Sequence, residues 1–232
     1  MKAPDRRRIL VLLSGRGSNY QALRQAEQDG RLGGEILGVI SDRVDAAGLS
    51  LARADGIDAL CIARQRYPER DAFEQALGTA IACFDAHWIV LAGFMRVLSA
   101  GFVAAHHGRM LNIHPSLLPR HRGLHTHQRV LEAGEREHGA SVHFVTPELD
   151  GGPVISQVHM SVESGDSAET LAARLLPLEH RLLPATMALL LSEPVEVGDE
   201  YIAIREKNLV QPLRLGPDLS DDGRLLGQRW RA

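Results

Sequence analysis

Three polar residues in the second half of the sequence suit the stabilisation of charge on a reacting oxygen. Asn112 and His114 stand two positions apart in an apolar run, so an extended strand points both side chains to one face. Asp150 precedes two glycines and the apolar run 154–160, which places a carboxylate at the mouth of the same sheet. A carboxylate favours the protonated form of a neighbouring imidazole, and carboxamides and imidazolium groups donate hydrogen bonds to an oxyanion. Each residue alone also fits a structural role, as a turn former or a strand end.

The glycine-rich turn after the apolar run 9–13 is a second candidate site. Gly15 and Gly17 allow close backbone approach, and a helix that starts at Ser18-Asn19 directs free N–H groups and its positive end at one point. The third glycine of a dinucleotide fingerprint is absent, since Tyr20 takes its place, and a Walker loop is absent too. The turn therefore predicts phosphate binding, with a plain connection between strand and helix as the alternative.

The pattern of apolar residues predicts the elements that hold these groups. Up to Gly93, apolar runs alternate with helical periodicity, which is typical of βαβ units around a parallel sheet. The runs cover 9–13, 35–40, 57–62 and 88–91, and the helices cover about 18–30, 46–54 and 68–83. Later strands are expected at 110–113, 140–145 and 154–160. The predicted fold class is α/β, a Rossmann-like, mostly parallel twisted sheet with helices on both faces and antiparallel additions in the C-terminal half.

The last third of the sequence predicts a long helix and an extension. Asp166 and Glu169 have the spacing of a capping box that opens the helix, and Pro177 and Pro184 predict kinks in it. We expect a single domain over 1–192, with an N-terminal half that binds phosphate and a C-terminal half that carries the chemistry. The extension, 193–232, is expected to contain a strand or hairpin and a tail that is loose from Gly216.

Composition and charge exclude several classes of function. The 26 Lys and Arg residues face 29 Asp and Glu residues, a net charge of -3, so no overall field favours nucleic acid. Two cysteines, Cys61 and Cys83, are too few for a disulfide framework. The basic lead-in 1–8 precedes an apolar run too short for a signal peptide or a membrane span. We expect a cytoplasmic protein with small-molecule ligands and no nucleic-acid or membrane partner.

Five segments, spread in order over residues 9–191, resemble the folate-dependent phosphoribosylglycinamide formyltransferase family. They are SGRGSN at 14–19, LAGFMR at 91–96, NIHPSLLP at 112–119, GLHTH at 123–127 and LDGGPVI at 149–155. The resemblance implies transfer of the formyl group of 10-formyltetrahydrofolate to the amine of 5-phosphoribosyl-glycinamide, giving formylglycinamide ribonucleotide and tetrahydrofolate in de novo purine biosynthesis. We expect no metal, and a monomer or homodimer.

The same resemblance implies roles for individual residues. The catalytic residues are Asn112, His114 and Asp150. The acceptor substrate is bound by Gly17, Ser18, Asn19, Tyr20, Gln21 and Glu179. The folate is bound by Arg70, Met95, Arg96, Val97, Leu98, Asn112, Thr146, Pro147, Glu148, Leu149 and Asp150.

Three departures from the family pattern stand out. His121-Arg122 replaces an aromatic residue and a proline that the family often has, which leaves the conformation of that loop open. Pro177 lies two residues before Glu179 and bears on the placement of that carboxylate. The sequence beyond about residue 193 resembles the family weakly.

Other functions remain open from the sequence. Formyltetrahydrofolate hydrolase and methionyl-tRNA formyltransferase use a similar trio, but we expect an added N-terminal regulatory domain in the first and an added basic domain in the second. A non-catalytic nucleotide-binding regulatory module would hold a phosphate at the first turn and a ribose at Asp42. A metal hydrolase would use His125 and His127 as ligands.

Overall fold

The computed structural model describes residues 7–198 and 201–227. The strands are β1 (Arg8–Leu13), β2 (Glu35–Ser41), β3 (Asp58–Cys61), β4 (Trp88–Leu91), β5 (Met110–His114), β6 (Glu137–Phe144), β7 (Val154–Ser161), β8 (Val195–Val197), β9 (Ile202–Ile204), β10 (Lys207–Asn208) and β11 (Leu213–Arg214). The helices are α1 (Ser18–Gln28), α2 (Ala47–Ala54), α3 (Arg70–Phe84), α4 (Ala100–Ala105), α5 (Thr126–Glu132) and α6 (Ala168–Ser192), with a 3-10 turn at Arg64–Arg66. Most of the basic lead-in, up to residue 6, and the end of the predicted tail, 228–232, lie outside the described residues.

An eight-stranded mixed sheet forms the centre of the protein, in the order β11-β7-β6-β5-β4-β1-β2-β3. β1 pairs in parallel with β2 and β4, and the parallel part continues to β3 on one side and β5 on the other. The β5-β6 and β6-β7 pairs are antiparallel. This confirms the predicted α/β class with its antiparallel additions. Because β2 and β4 flank β1, the strand order reverses there and leaves a crevice beyond the carboxyl ends of β1 and β4.

Both faces of the sheet are covered by helices, and β1 shows why. Ile9, Val11 and Leu13 belong to one apolar cluster, while Leu10 and Leu12 belong to the other, and all five are fully buried. The first cluster includes side chains of α1, α2 and α6, and the second includes side chains of α3 and α4. A strand buried on both faces needs a continuous apolar sequence, which β1 has. Its rigid packing fixes the turn that follows it.

The long helix α6 begins with a different cap from the predicted one. Ser167 is the N-cap, and its Oγ accepts the N–H of Thr170 (3.2 Å) while Thr170 Oγ1 accepts the N–H of Ser167 (2.8 Å). Asp166 lies outside this box and accepts a hydrogen bond from Arg174 (2.6 Å). The predicted capping box of Asp166 and Glu169 is therefore wrong. α6 continues past both of its prolines, and no helix of the described residues is long and apolar enough to cross a membrane.

The extension adds a small sheet and one strand to this core. β8 and β9 form the antiparallel hairpin that the sequence suggested, and β10 pairs with β9. β11 pairs in parallel with β7 at the edge of the main sheet. Leu219 is fully buried in the core, so the expectation of a loose chain from Gly216 is wrong as far as residue 227. The division into 1–192 and 193–232 stays a prediction.

Candidate active site

Two cavities open at the crevice where the strand order reverses. The N–H of Ser14 donates to the carbonyl of Gly93 (3.0 Å), and Ser14 Oγ accepts the N–H of Met95 (2.8 Å), so the ends of β1 and β4 are joined. The large cavity has a volume of about 850 Å³ and lies against the glycine-rich turn, the end of β2 and one face of α6. The small cavity has a volume of about 100 Å³ and lies between the loop after β4 and the loop after β6.

The glycine-rich turn presents backbone N–H groups to the large cavity. Gly17 is the N-cap of α1, with a φ of 79°, and no side chain caps the first turn. These N–H groups and the helix dipole together favour an anion. A Cβ on residue 17 would lie 2.7 Å from the Cα of Gly48, so the close approach of these two backbone segments requires glycine. The geometry suits a phosphate at Gly17, Ser18 and Asn19, all of which line the cavity.

Asn19 and Glu179 join α1 to α6 in the wall of the large cavity. Asn19 Nδ2 donates a hydrogen bond to Glu179 Oε2 (3.1 Å). Burial raises the pKa of Glu179, against a smaller lowering by the bond from Asn19, so the site favours the uncharged carboxyl more than water does. Because α6 is continuous, Glu179 reaches the cavity although Pro177 lies two residues before it.

Two residues assigned to the acceptor do not line the large cavity. The Tyr20 side chain is fully buried, and its hydroxyl donates to Asp55 Oδ2 (2.7 Å). Burial raises the pKa of Tyr20, which keeps this hydroxyl protonated. Gln21 is exposed, and its N–H donates to the carbonyl of Gly17 (2.9 Å). Tyr20 therefore joins α1 to the end of α2, and Gln21 helps to form the first turn of α1.

The three residues predicted to be catalytic lie together. Asn112 and His114 end β5, and Asp150 lies in the turn between β6 and β7. His114 Nδ1 is 3.4 Å from Asp150 Oδ2, and the two side chains are only 8% and 9% exposed. Asp150 has a φ of 49°, and its Oδ2 also accepts the N–H of Gly123 (2.8 Å). The antiparallel β5-β6-β7 unit thus brings an imidazole and a carboxylate from distant segments beside the carboxamide.

A buried histidine that the sequence analysis did not single out links two of these residues. His143 pairs with Asn112 across β5 and β6, and its Nε2 lies 3.1 Å from Asn112 Nδ2 and 3.7 Å from Asp150 Oδ1. His143 Nδ1 lies 2.9 Å from the carbonyl oxygen of Phe144, which can only accept, so Nδ1 carries the proton and Nε2 accepts from Asn112. Burial lowers the pKa of His143 to about 4, so the ring is neutral at neutral pH. The sequence carries no signal that separates His143 from His138, because both histidines stand in β6.

The segment that departs from the family pattern closes over His114. The carbonyl oxygen of His121 lies 3.1 Å from His114 Nε2, so each ring nitrogen of His114 faces an acceptor. A doubly protonated imidazolium satisfies both acceptors. His121 has a φ of 52°, its ring Nε2 lies 2.8 Å from Glu135 Oε1, and Arg122 pairs with Glu148. The loop is therefore held on both sides of His114.

A buried polar network ties the same loop to the sheet. Ser141 Oγ accepts the N–H of Leu118 (3.0 Å) and donates to the carbonyl of Ser116 (2.7 Å). Gln157 Nε2 donates to the carbonyl of Leu118 (2.9 Å) and to Ser141 Oγ (3.0 Å). A buried network whose members are paired specifies one conformation. It fixes the backbone between His114 and the carbonyl that His114 contacts.

Most residues assigned to the folate line the small cavity. These are Arg96, Val97, Leu98, Asn112, Thr146, Pro147, Glu148, Leu149 and Asp150. Met95 lines the large cavity instead, and Arg96 lines both. Arg70 lines neither, because its guanidinium pairs with Glu74 (3.0 Å), whose carboxylate also accepts the N–H of Ser99 (2.7 Å). The structure therefore leaves Arg70 outside both cavities.

Two of the residues named for the alternative sites, Asp42 and His127, have internal partners. Asp42 Oδ2 accepts a hydrogen bond from Arg96 Nε (2.5 Å), so a ribose would have to compete with an ion pair. His127 Nδ1 lies 2.9 Å from His138 Nε2, whereas His125 is the N-cap residue of α5 and its exposed side chain makes no capping hydrogen bond. Within the part of the chain that the structure describes, no group of three or more His, Cys, Asp or Glu side chains is placed to hold a metal ion.

Comparison with known proteins shows likeness over most of the chain. A family model described as formyl transferase matches residues 7–187. Phosphoribosylglycinamide formyltransferase of Escherichia coli (strain K12) is 46% identical over 180 residues, which is 78% of this chain and 85% of that protein. The solved structure of phosphoribosylglycinamide formyltransferase from Coxiella burnetii has a TM-score of 0.84 at 44% identity, covering 88% of this chain and 95% of that one. The structure of glycinamide ribonucleotide transformylase 1 from Symbiobacterium toebii has a TM-score of 0.80 at 41% identity, covering 85% and 93%. Every candidate residue named above lies within the range of the family model.

Proposed function

Because the chain belongs to the phosphoribosylglycinamide formyltransferase family and catalyses formyl transfer in de novo purine biosynthesis, we propose that 10-formyltetrahydrofolate is its donor and that Asn112, His114 and Asp150 carry the reaction. The observation that supports this assignment most strongly is the position of the end of β5. Asn112 lines the small cavity, whereas the next residue, Ile113, and Pro115 line the large one. The end of β5 therefore lies between the two cavities, although the His114 side chain lines neither of them.

The large cavity suits the acceptor, phosphoribosyl-glycinamide. Its phosphate binds at the N-terminus of α1, where Gly17, Ser18 and Asn19 offer N–H groups. Glu179 lies in the same wall and accepts hydrogen bonds from the sugar or the amine end of the substrate. With the phosphate held at one end, the amine is directed towards the end of β5.

The small cavity suits the head group of the formyl-folate. Val97, Leu98 and Leu149 give its walls apolar surface, and Asn112 and Asp150 stand at its polar end. Ligand sites commonly combine such apolar walls with a few placed polar groups. The formyl carbon would then lie between Asn112 and the amine of the acceptor.

The reaction is attack by the neutral amine on the formyl carbon, which forms a tetrahedral intermediate with negative charge on oxygen. Asn112 Nδ2 donates to that oxygen, and the His114 imidazolium, whose two N–H groups face Asp150 and the carbonyl of His121, stabilises the negative charge electrostatically. Asp150 holds the charge on His114 and helps to order water that relays the proton of the amine to the leaving folate nitrogen. The new C–N bond forms in this intermediate, and its collapse then breaks the bond to the folate nitrogen, without a covalent enzyme intermediate.

One absorbance assay tests this function. The purified protein is mixed with 10-formyltetrahydrofolate, with and without phosphoribosyl-glycinamide, and release of the deformylated folate is followed. We expect release that requires the amine and stays stoichiometric with formylglycinamide ribonucleotide. Equal release without the amine would instead indicate a hydrolase.

We further propose that the protein works in the cytoplasm, on small molecules alone and as a monomer or homodimer. Cys61 and Cys83 are both free thiols, which suits a reducing compartment. The balanced charge gives no field for a polyanion. Light scattering measures the oligomeric state, and a species larger than a dimer would contradict this expectation.

A further inference from the structure

Arg16 is a charged residue at the large cavity that no role assigned so far uses. It stands between Gly15 and Gly17 in the glycine-rich turn and lines the cavity with an exposed side chain. Within residues 7–198 and 201–227 its guanidinium has no hydrogen bond or ion pair. A Cβ on Gly15 would meet nothing within 4 Å, so the turn leaves open space beside Arg16.

The other arginines that line the large cavity are already neutralised. Arg43 donates two hydrogen bonds to the carboxylate of Asp45, at 3.0 and 2.8 Å. Arg96 donates to Asp42 at 2.5 Å, and the Asp42 side chain is fully buried. Among the described residues that line the large cavity, Arg16 is therefore the arginine whose charge is not paired with a carboxylate.

The titratable groups of the same wall do not offset this charge. Burial raises the pKa of Glu179, which weakens its negative charge in the cavity. Burial lowers the pKa of His127, so that ring adds no positive charge at neutral pH. An anion that enters the large cavity therefore meets one free guanidinium and the positive end of α1.

We propose that Arg16 binds the phosphate of the acceptor substrate and makes the site specific for phosphorylated acceptors. A guanidinium offers a planar fork of donors that matches two phosphate oxygens. Because Arg16 immediately precedes the N-cap Gly17, its fork and the first N–H groups of α1 converge on one anion. The identity of the phosphate compound rests on the proposed function, whereas the binding of phosphate does not.

Substitution of Arg16 tests the proposal through a split between KM and kcat. In Arg16→Ala we expect the KM for phosphoribosyl-glycinamide to rise about 10- to 100-fold, the usual effect of losing a charged hydrogen-bonded pair. The kcat and the KM for the formyl-folate are expected to stay within about twofold, because phosphate contacts are equal in ground and transition states. Arg16→Lys keeps the charge without the fork and should give an intermediate KM.

Arg43→Ala is the matched control, since Arg43 lines the same cavity but is paired with Asp45. We expect less than about threefold change in its acceptor KM. Equal KM increases in both variants, or none in Arg16→Ala, would overturn the proposal.

A second measurement uses inorganic phosphate as the probe and needs no enzymatic activity. Phosphate should raise the melting temperature of the wild type and of Arg43→Ala, and the midpoint of this effect should move to about tenfold higher phosphate in Arg16→Ala. An unchanged midpoint in Arg16→Ala would overturn the role of Arg16. Absence of amine-dependent transfer by the wild type would overturn the proposed function alone.

Discussion

His143 connects the stability of the fold to the geometry of the site, and we expect His143→Phe to change both. The ring is 2% exposed, accepts a hydrogen bond from Asn112 and donates one to the carbonyl of Phe144. Phenylalanine fills similar volume but makes neither bond. The carboxamide of Asn112 then loses the partner that orients it, and the carbonyl of Phe144 loses its donor.

The size of the expected change in stability with pH follows from the protonation of His143. Burial lowers the pKa of this ring from 6.5 to about 4, so between these values the unfolded chain binds a proton that the folded protein does not. Stability therefore falls as the pH falls through this window, by about 2 kcal/mol between pH 7.5 and pH 5 and about 3 kcal/mol by pH 4. His143→Phe removes this dependence, but at pH 7.5 it costs about 1–3 kcal/mol through the unpaired polar groups.

Urea denaturation at pH 7.5 and pH 5, with kcat measured at pH 7.5, tests both effects. We expect the loss of unfolding free energy between the two pH values to be smaller by about 2 kcal/mol in His143→Phe than in the wild type. The kcat should fall about 10- to 1000-fold, because Asn112 no longer holds its donor in place. His138→Phe is the control, since burial lowers the pKa of His138 to about 4 as well, but this ring does not contact the catalytic trio. In His138→Phe the pH dependence of stability should shrink by a similar amount, while kcat should stay within about threefold of the wild-type value. Wild-type kcat in His143→Phe, or an undiminished pH dependence, would refute the reasoning.

Three other substitutions test separate parts of the molecule. Gly17→Ala should raise the acceptor KM and lower the unfolding free energy by about 1–3 kcal/mol, because the φ of Gly17 is 79° and a Cβ there would approach Gly48. Gly15→Ala should be tolerated, because a Cβ there meets nothing within 4 Å. Steady-state kinetics and urea denaturation measure both effects, and equal behaviour of the two variants would contradict the close contact. Glu179→Gln should raise the acceptor KM about tenfold with the formyl-folate KM unchanged, and an unchanged acceptor KM would remove Glu179 from the site. Leu219→Ala should cost about 2–5 kcal/mol in urea denaturation, because the side chain is fully buried, and a loss below about 0.5 kcal/mol would show that the extension contributes little to the core.

The parts of the fold that could be predicted are those whose signal is local. β1, β2 and β4 are largely apolar runs separated by helical periodicity, so most of the parallel half follows from the sequence alone. α4 and β11 could not be predicted in the same way, because six and two residues carry too little periodicity. Leu219 is buried by packing against distant elements, which no local pattern of the polar tail reveals.

The candidate site shows the same division between local and long-range information. Two-residue spacing on β5 placed Asn112 and His114 together, and the turn before β7 placed Asp150 near them. His143 depends on the pairing register of β5 and β6, which the sequence does not state. Tyr20 follows the glycine-rich turn in sequence, yet its position on the buried face of α1 directs the hydroxyl to Asp55.

The most direct measurement of the central claim is the single-turnover rate of formyl transfer in Asn112→Ala and His114→Ala, with folding checked by circular dichroism. If these side chains stabilise the oxyanion, each variant should lose about 100- to 1000-fold in rate while both substrates still bind. Near-normal rates in both correctly folded variants would contradict the assignment of the reaction to this strand end.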